Sequence, residues 1–187
     1  MDRKKPTDIL EEEHKIIQKV VAAMAVGVEV LETGKDVKAD TVRNIVEFMR
    51  TFGDKCHHGK EEVYLFPLLG HRGVPMHGCP LAVLIHEHEM GRVLVKELAS
   101  AGEAYGKKAT SAKAALIQSL KGLIKLYPDH IWKENYLLFP MTNKVLSEED
   151  QKDLYEKFEE VERSIGEDTH ERFEKMAEKL SLEMQPI

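Results

Sequence analysis

Two segments of the 187-residue chain place a histidine four residues ahead of a glutamate in closely matched surroundings. The first is HHGKEEVYLFP, His57 to Pro67, and the second is HIWKENYLLFP, His130 to Pro140, with 6 of 11 positions identical. On an α-helix, residues i and i+4 share a face. His57 with Glu61, and His130 with Glu134, therefore each point one imidazole and one carboxylate the same way. The repeat reaches further back: His14 stands 43 residues before His57, His88 stands 42 before His130, and each directly follows a glutamate, Glu13 or Glu87. The chain reads as two copies of one unit, a helix with one histidine followed by a helix with His-x-x-x-Glu. Such a unit cannot bury its own apolar face and closes on its copy. Four helices then turn His14, His57, Glu61, His88, His130 and Glu134 inward.

A bare carboxylate in a dry core is costly, and a pair of metal ions would compensate two of them. The set has no thiolate, and imidazole with carboxylate suits iron, manganese or zinc. A ferrous pair with two carboxylates carries the same net charge as a ferric pair with two carboxylates and an oxide. Two iron ions with an oxo or hydroxo bridge could therefore change oxidation state without changing the charge of the core. Ferritin-like bundles use Glu-x-x-His and more carboxylates. Here the order is reversed, the spacing is four and imidazoles outnumber carboxylates. That favours binding and modest redox chemistry over attack on strong C–H bonds.

The elements that must position these groups follow from periodicity and punctuation. A first helix starts at Pro6-Thr7-Asp8, with Asp8 and Glu11 as a capping pair, and runs to Gly34. A second starts near Asp40, carries the first kernel and ends around Pro67 and Gly70. The glycine- and proline-rich stretch from Gly70 to Pro80 is loop. A third helix runs from Pro80 to about Gly106, and a fourth from Thr110 or Ser111 to Pro140. The expected fold is all-α, an up-down-up-down four-helix bundle over residues 1–146. Residues 147–187 form an amphipathic extension, starting at Ser147 and broken at Gly166, packed outside the bundle.

Neighbouring residues divide by angle around these helices. Successive α-helical residues are about 100° apart, which puts His58 off the metal face, and His86 still further round, solvated or behind a ligand. Glu62 reads as a surface charge, and Trp132 as core under the C-terminal helices. Tyr64 and Tyr127, three residues from Glu61 and His130, share the metal face and could hydrogen-bond a bound ligand. Cys56 reads as small buried filler. His71, His77 and His170 fall outside the site. Phe66-Pro67 and Phe139-Pro140 read as an aromatic anchor followed by a terminator.

On EEEH in the first helix, HHGKEEVYLFP in the second, HEHEMGR in the third and DHIWKENYLLFP in the fourth, the chain resembles the hemerythrin-like (HHE cation-binding) family, from His14 to Pro140. The resemblance implies a non-heme di-iron centre with the six residues above as ligands and the two glutamates as bridges. The oxygen-carrying members have five histidines, two of them four apart on the third helix; here the slots around His88 hold Leu84 and Arg92. They also carry an aspartate five residues after the last histidine, where this chain has Glu134 after four. The four-His, two-Glu set resembles more closely the bacterial iron-centre repair proteins and the eukaryotic iron-sensing domains, although the cysteine-bearing N-terminal segment of the repair proteins is absent. The implied function is binding of oxygen, nitric oxide or peroxide for sensing, storage or detoxification. The alternatives are enzymatic reduction of nitric oxide or peroxide, and iron supply to damaged centres.

Composition narrows the class. Apolar residues make up 42% and charged residues 32%, with a net charge of −6. No basic stripe points to nucleic acid, and no apolar run has the length of a membrane span. The expectation is a cytoplasmic protein with Cys56 and Cys79 as free thiols.

Overall fold

The computed structural model describes residues 4–77, 80–166 and 168–184, and every regular element among them is helical. Cys79 lies outside the described residues. The first rod is α1 (Pro6–Glu32). Its N-terminus differs from the expected capping pair: the Asp8 carboxylate accepts from the Lys5 backbone N–H at 2.8 Å, so the helix begins earlier. The second rod is α2 (Ala39–Phe48), continued through π-helical turns at Met49–His58 and Glu61–Leu65 into α3 (Phe66–His71). The third is α4 (Leu81–Gly106). The fourth is α5 (Ala112–Lys133), continued through a π-helical turn at Glu134–Leu138 into α6 (Phe139–Val145).

Pro140 therefore does not close the fourth rod, which runs on to Val145. In an α-helix a proline ring meets the carbonyl four residues back and leaves it without a donor. In both rods a π turn stands directly before the Phe-Pro pair, and its i→i+5 bonding shifts the carbonyls that the proline would otherwise obstruct.

The four rods form an up-down-up-down bundle whose core is two apolar clusters separated by one polar layer. The larger cluster includes Ile17, Met24, Ile45, Phe52, Leu98 and Leu120. The smaller includes Leu10, Leu65, Leu84, Leu138 and Phe158. Along each rod the histidines and glutamates fall between a residue of one cluster and a residue of the other, as His14 does between Leu10 and Ile17. Helices pack closely around this layer. A Cβ on Gly102 of α4 would stand 2.7 Å from Val42 of α2, a contact only glycine permits.

Two further helices complete the chain. Ser147 caps α7 (Glu148–Ile165), its hydroxyl accepting from Asp150 N–H at 3.2 Å while the Asp150 carboxylate accepts from the Ser147 N–H at 3.0 Å. Gly166 turns the chain at φ 142°, and α8 (Thr169–Glu183) follows. α8 packs against both α1 and α2, and its Phe173, Ala177 and Leu180 join the larger cluster. Trp132 is not under these helices. It is 53% exposed on α5, its ring tilted against that of Tyr136 at 5.7 Å, because α8 covers the α1–α2 side instead.

Candidate metal centre

The polar layer gathers seven buried residues. Ligand atoms of His14, His57, Glu61 and Glu134 lie within 4.8 Å of one another, as do those of His58, His88 and His130. Each glutamate faces both groups. Glu61 Oε2 is 3.8 Å from His57 Nε2 and 3.5 Å from His88 Nε2. Glu134 lies 3.0 Å from His14 Nε2, 3.5 Å from His88 Nε2 and 3.3 Å from His130 Nε2. Both carboxylates are fully buried, and none of their four oxygens has a hydrogen-bond partner. The same holds for Nε2 of His58, His88 and His130. Orphaned buried polar atoms cost free energy, and a cluster of them facing inward is the signature of a cation site. The donor set fits a pair of such ions.

Every one of the five imidazoles is held from behind through Nδ1. His57 donates to Glu13 at 2.9 Å, His130 to Glu87 at 3.0 Å, His88 to Glu62 at 2.6 Å and His58 to Asp54 at 3.4 Å. His14 bonds Asn135 Oδ1 at 2.6 Å. A carboxylate can only accept, so Nδ1 carries the proton and Nε2 keeps its lone pair for the centre. Four of these bonds follow the internal repeat. Within each copy, the glutamate of the first helix supports the kernel histidine. Between copies, the residue after each kernel glutamate, Glu62 or Asn135, supports the lone histidine of the other copy. Phe66 and Phe139 obey the same crossing, stacking on His88 at 5.8 Å and on His14 at 5.5 Å.

A lysine completes each support. Lys60 bonds Glu13 and Lys133 bonds Glu87, both through the lysine shared by the two kernels. The two pairs sit in different surroundings. Lys60 is fully buried and also bonds Glu162 of α7 at 2.6 Å, whereas the Lys133 side chain is 30% exposed. His170 of α8 lies 3.7 Å from Glu162 and 3.9 Å from Glu13. The Lys60 ammonium already occupies the place between those two carboxylates.

The charges respond accordingly. Burial pushes Glu13 up, but Lys60 and the His57 N–H outweigh it and bring the carboxyl down to about 2. Burial, reinforced by Glu134, drives the Glu61 carboxyl well above its usual range, while Glu134 is buried too but held low by His130, His14 and His88. Burial, then the neighbouring His14, lowers His57 to about 4. His58 is held well below its ordinary value by burial and the adjacent His88. Cys56 is buried beside Glu13, and burial above all raises its thiol to about 12, an inert state.

Three expectations change. His58 is not off the metal face: it is 3% exposed and stacked on His88 at 3.8 Å. The 100° rule behind that expectation holds for an α-helix, and His58 ends a ten-residue π-helical segment with a wider turn. Glu62 is not a free surface charge but the acceptor behind His88, shared with Arg92 at 2.7 Å. His170 comes beside Glu13 rather than standing apart. Of the two tyrosines, Tyr127 is buried with its ring 6.3 Å from that of His130. Tyr64 packs against the smaller apolar cluster instead. His71, His77 and His86 are exposed. The supporting glutamates Glu13 and Glu87 were visible in the sequence as the residue before each lone histidine, but their partners were not.

The fold and this layer define a helical-bundle, metal-binding protein with a paired His/Glu core. The chain matches the hemerythrin HHE cation binding domain over residues 5–142 and belongs to that family. Uncharacterized proteins of Mycobacterium bovis and of two Mycobacterium tuberculosis strains are each 27% identical over 163 residues, covering 87% of this chain. The chain spans 63% of the length of these relatives. No solved structure matches it significantly. No described helix is long and apolar enough to cross a membrane.

Proposed function

We propose that the chain holds two iron ions and binds a small oxidant or gas there: oxygen, nitric oxide or peroxide. His14 and His57 would hold one ion and His88 and His130 the other, with Glu61 and Glu134 within reach of both. The observation that carries this reading is that each orphaned carboxylate faces imidazoles of both groups. When bound, the ions supply redox-active positions for a diatomic or peroxide ligand. The protein's part is to fix each imidazole through its Nδ1 partner, to exclude bulk water between two apolar clusters, and to give few enough ligands that positions stay open. Tyr127, buried with its ring beside that of His130, would offer its hydroxyl to such a ligand. Two imidazoles per ion with shared carboxylates make a less anionic core than a carboxylate-rich bundle. This supports binding for sensing, storage or detoxification.

The test begins with elemental analysis of protein purified without added metal. The reduced protein is then mixed with oxygen, nitric oxide and peroxide in a stopped-flow spectrometer. A stable adduct with one of them is the expected result. Two iron ions per chain with no spectral response to any of the three would refute ligand binding and leave the metal as a structural staple.

A further inference from the structure

We propose that His58 is a movable occupant of the space beside the centre rather than one of its fixed ligands, and that the cavity on its outer side admits a small anion to the position it leaves beside His88 and His130. This rests on the two-ion reading above. Four observations support it. An imidazole directs its lone pair within the plane of its ring, so two ligands of one ion must have planes that meet at that ion. His58 and His88 are stacked at 3.8 Å with planes only 14° apart, and in this arrangement they cannot both hold one ion in plane. His88 and His130, at 72°, can.

His58 also has the weakest support. Its Nδ1 lies 3.4 Å from Asp54 Oδ1, and that same oxygen already accepts from Arg92 Nε at 2.8 Å. The other four imidazoles have supports at 2.6 to 3.0 Å. In the repeat, the slot of His58 is filled by Ile131, so this imidazole is an addition to an otherwise paired donor set.

The ring has somewhere to go. A cavity of about 240 Å³ is lined by His58, Asp54, Tyr127, Gly91 and the cations Arg50 and Lys96. It is roomy enough for several water-sized groups. Gly91 lines it without a side chain; a Cβ there would sit in ordinary contact with Leu126 and the Tyr127 hydroxyl at 3.7 Å, and a larger side chain would take up cavity space. Arg50 and Lys96 make no ion pair among the described residues. Their charge favours a small anion over a neutral gas at this entrance.

Azide is the probe. Metal-loaded wild type and His58→Ala are mixed with azide, the absorbance of the centre is followed, and metal content is measured in parallel. In the wild type the observed rate should level off at high azide, at the rate with which the His58 ring swings away. In His58→Ala it should rise linearly and be roughly tenfold faster at low azide, as for a protein whose competent state was populated about one part in ten. Gly91→Val narrows the cavity without replacing any histidine or glutamate of the centre; it should slow azide several-fold with metal content unchanged. Equal, linear rates in wild type and His58→Ala would overturn the proposal. So would loss of metal in His58→Ala, which would make His58 a permanent ligand, or an unchanged rate in Gly91→Val. A wild type that holds no metal pair overturns the two-ion reading as well, and metal analysis tells that failure apart.

Discussion

Replacing Lys60 and Lys133 in turn by methionine uses the internal repeat as its own control. Both lysines occupy the same slot and bond the equivalent carboxylate, Glu13 or Glu87. Lys60 and Glu13 are fully buried, while the Lys133 and Glu87 side chains are 30% and 14% exposed. Burial alone would pull the Lys60 ammonium down, but Glu13 above all holds it above its ordinary value. Removing one partner of a buried pair strands the other charge and costs about 3 to 5 kcal/mol. Some of that returns here, because methionine packs well beside Phe158 and His57 still donates to Glu13, so about 3 kcal/mol is expected. An exposed pair contributes about 0 to 1 kcal/mol. For a chain of this size about 3 kcal/mol corresponds to a fall in Tm of roughly 6 to 12 °C. Lys133→Met should shift Tm by no more than a few degrees. Thermal and urea melts of both variants, metal-free and metal-loaded, measure the difference. Metal retention should behave differently: both lysines steady a carboxylate that orients a histidine, so affinity should drop in both, by roughly 10- to 100-fold. Equal loss of stability in the two variants would refute the argument that the α7–α8 cover makes the first pair different.

Further outcomes follow from the same contacts. Glu61→Gln should leave the metal-free protein as stable or more stable, since it removes a carboxyl whose ionisation burial and Glu134 oppose. The metal-loaded protein should lose both metal and stability, because cation binding is linked to the folded state; parallel melts with and without metal test this. Asp150 is lowered to about 2, chiefly by Arg72, which donates through Nε at 2.9 Å and Nη2 at 2.5 Å. A depressed carboxyl stabilises the fold above its unfolded value and loses that contribution as pH falls towards 2. Asp150→Asn should therefore show a shallower loss of stability between pH 5 and pH 2 than wild type, with pH set by titration during urea melts. Trp132→Ala should cost less than about 1 kcal/mol in the same melts, whereas Phe173→Ala should cost about 3 to 5 kcal/mol.

How much of the site could be read from the chain varies with the kind of contact. His57 with Glu61, and His130 with Glu134, were legible because i,i+4 spacing is a local property and the chain states it twice. The role of Glu62 is not legible locally, because its partner His88 sits on another rod and nothing near Glu62 in sequence reports that register. Lys60 and Lys133 look identical in their kernels. Only the docking of α7 and α8 makes one a buried ion and the other a half-exposed one.

Local pattern and repetition by themselves determined that the chain is helical, that its rods number four with a tail, and which six side chains share an inward face. Spacing along a helix is dictated by backbone geometry, so these needed no knowledge of neighbours. Tertiary structure alone decided the crossing of supports between the two copies, the exposure of Trp132 and the place of His58 in the polar layer. Those depend on how rods slide against one another and on π turns that reset the angle of every later residue, and neither leaves a mark in a short stretch of sequence.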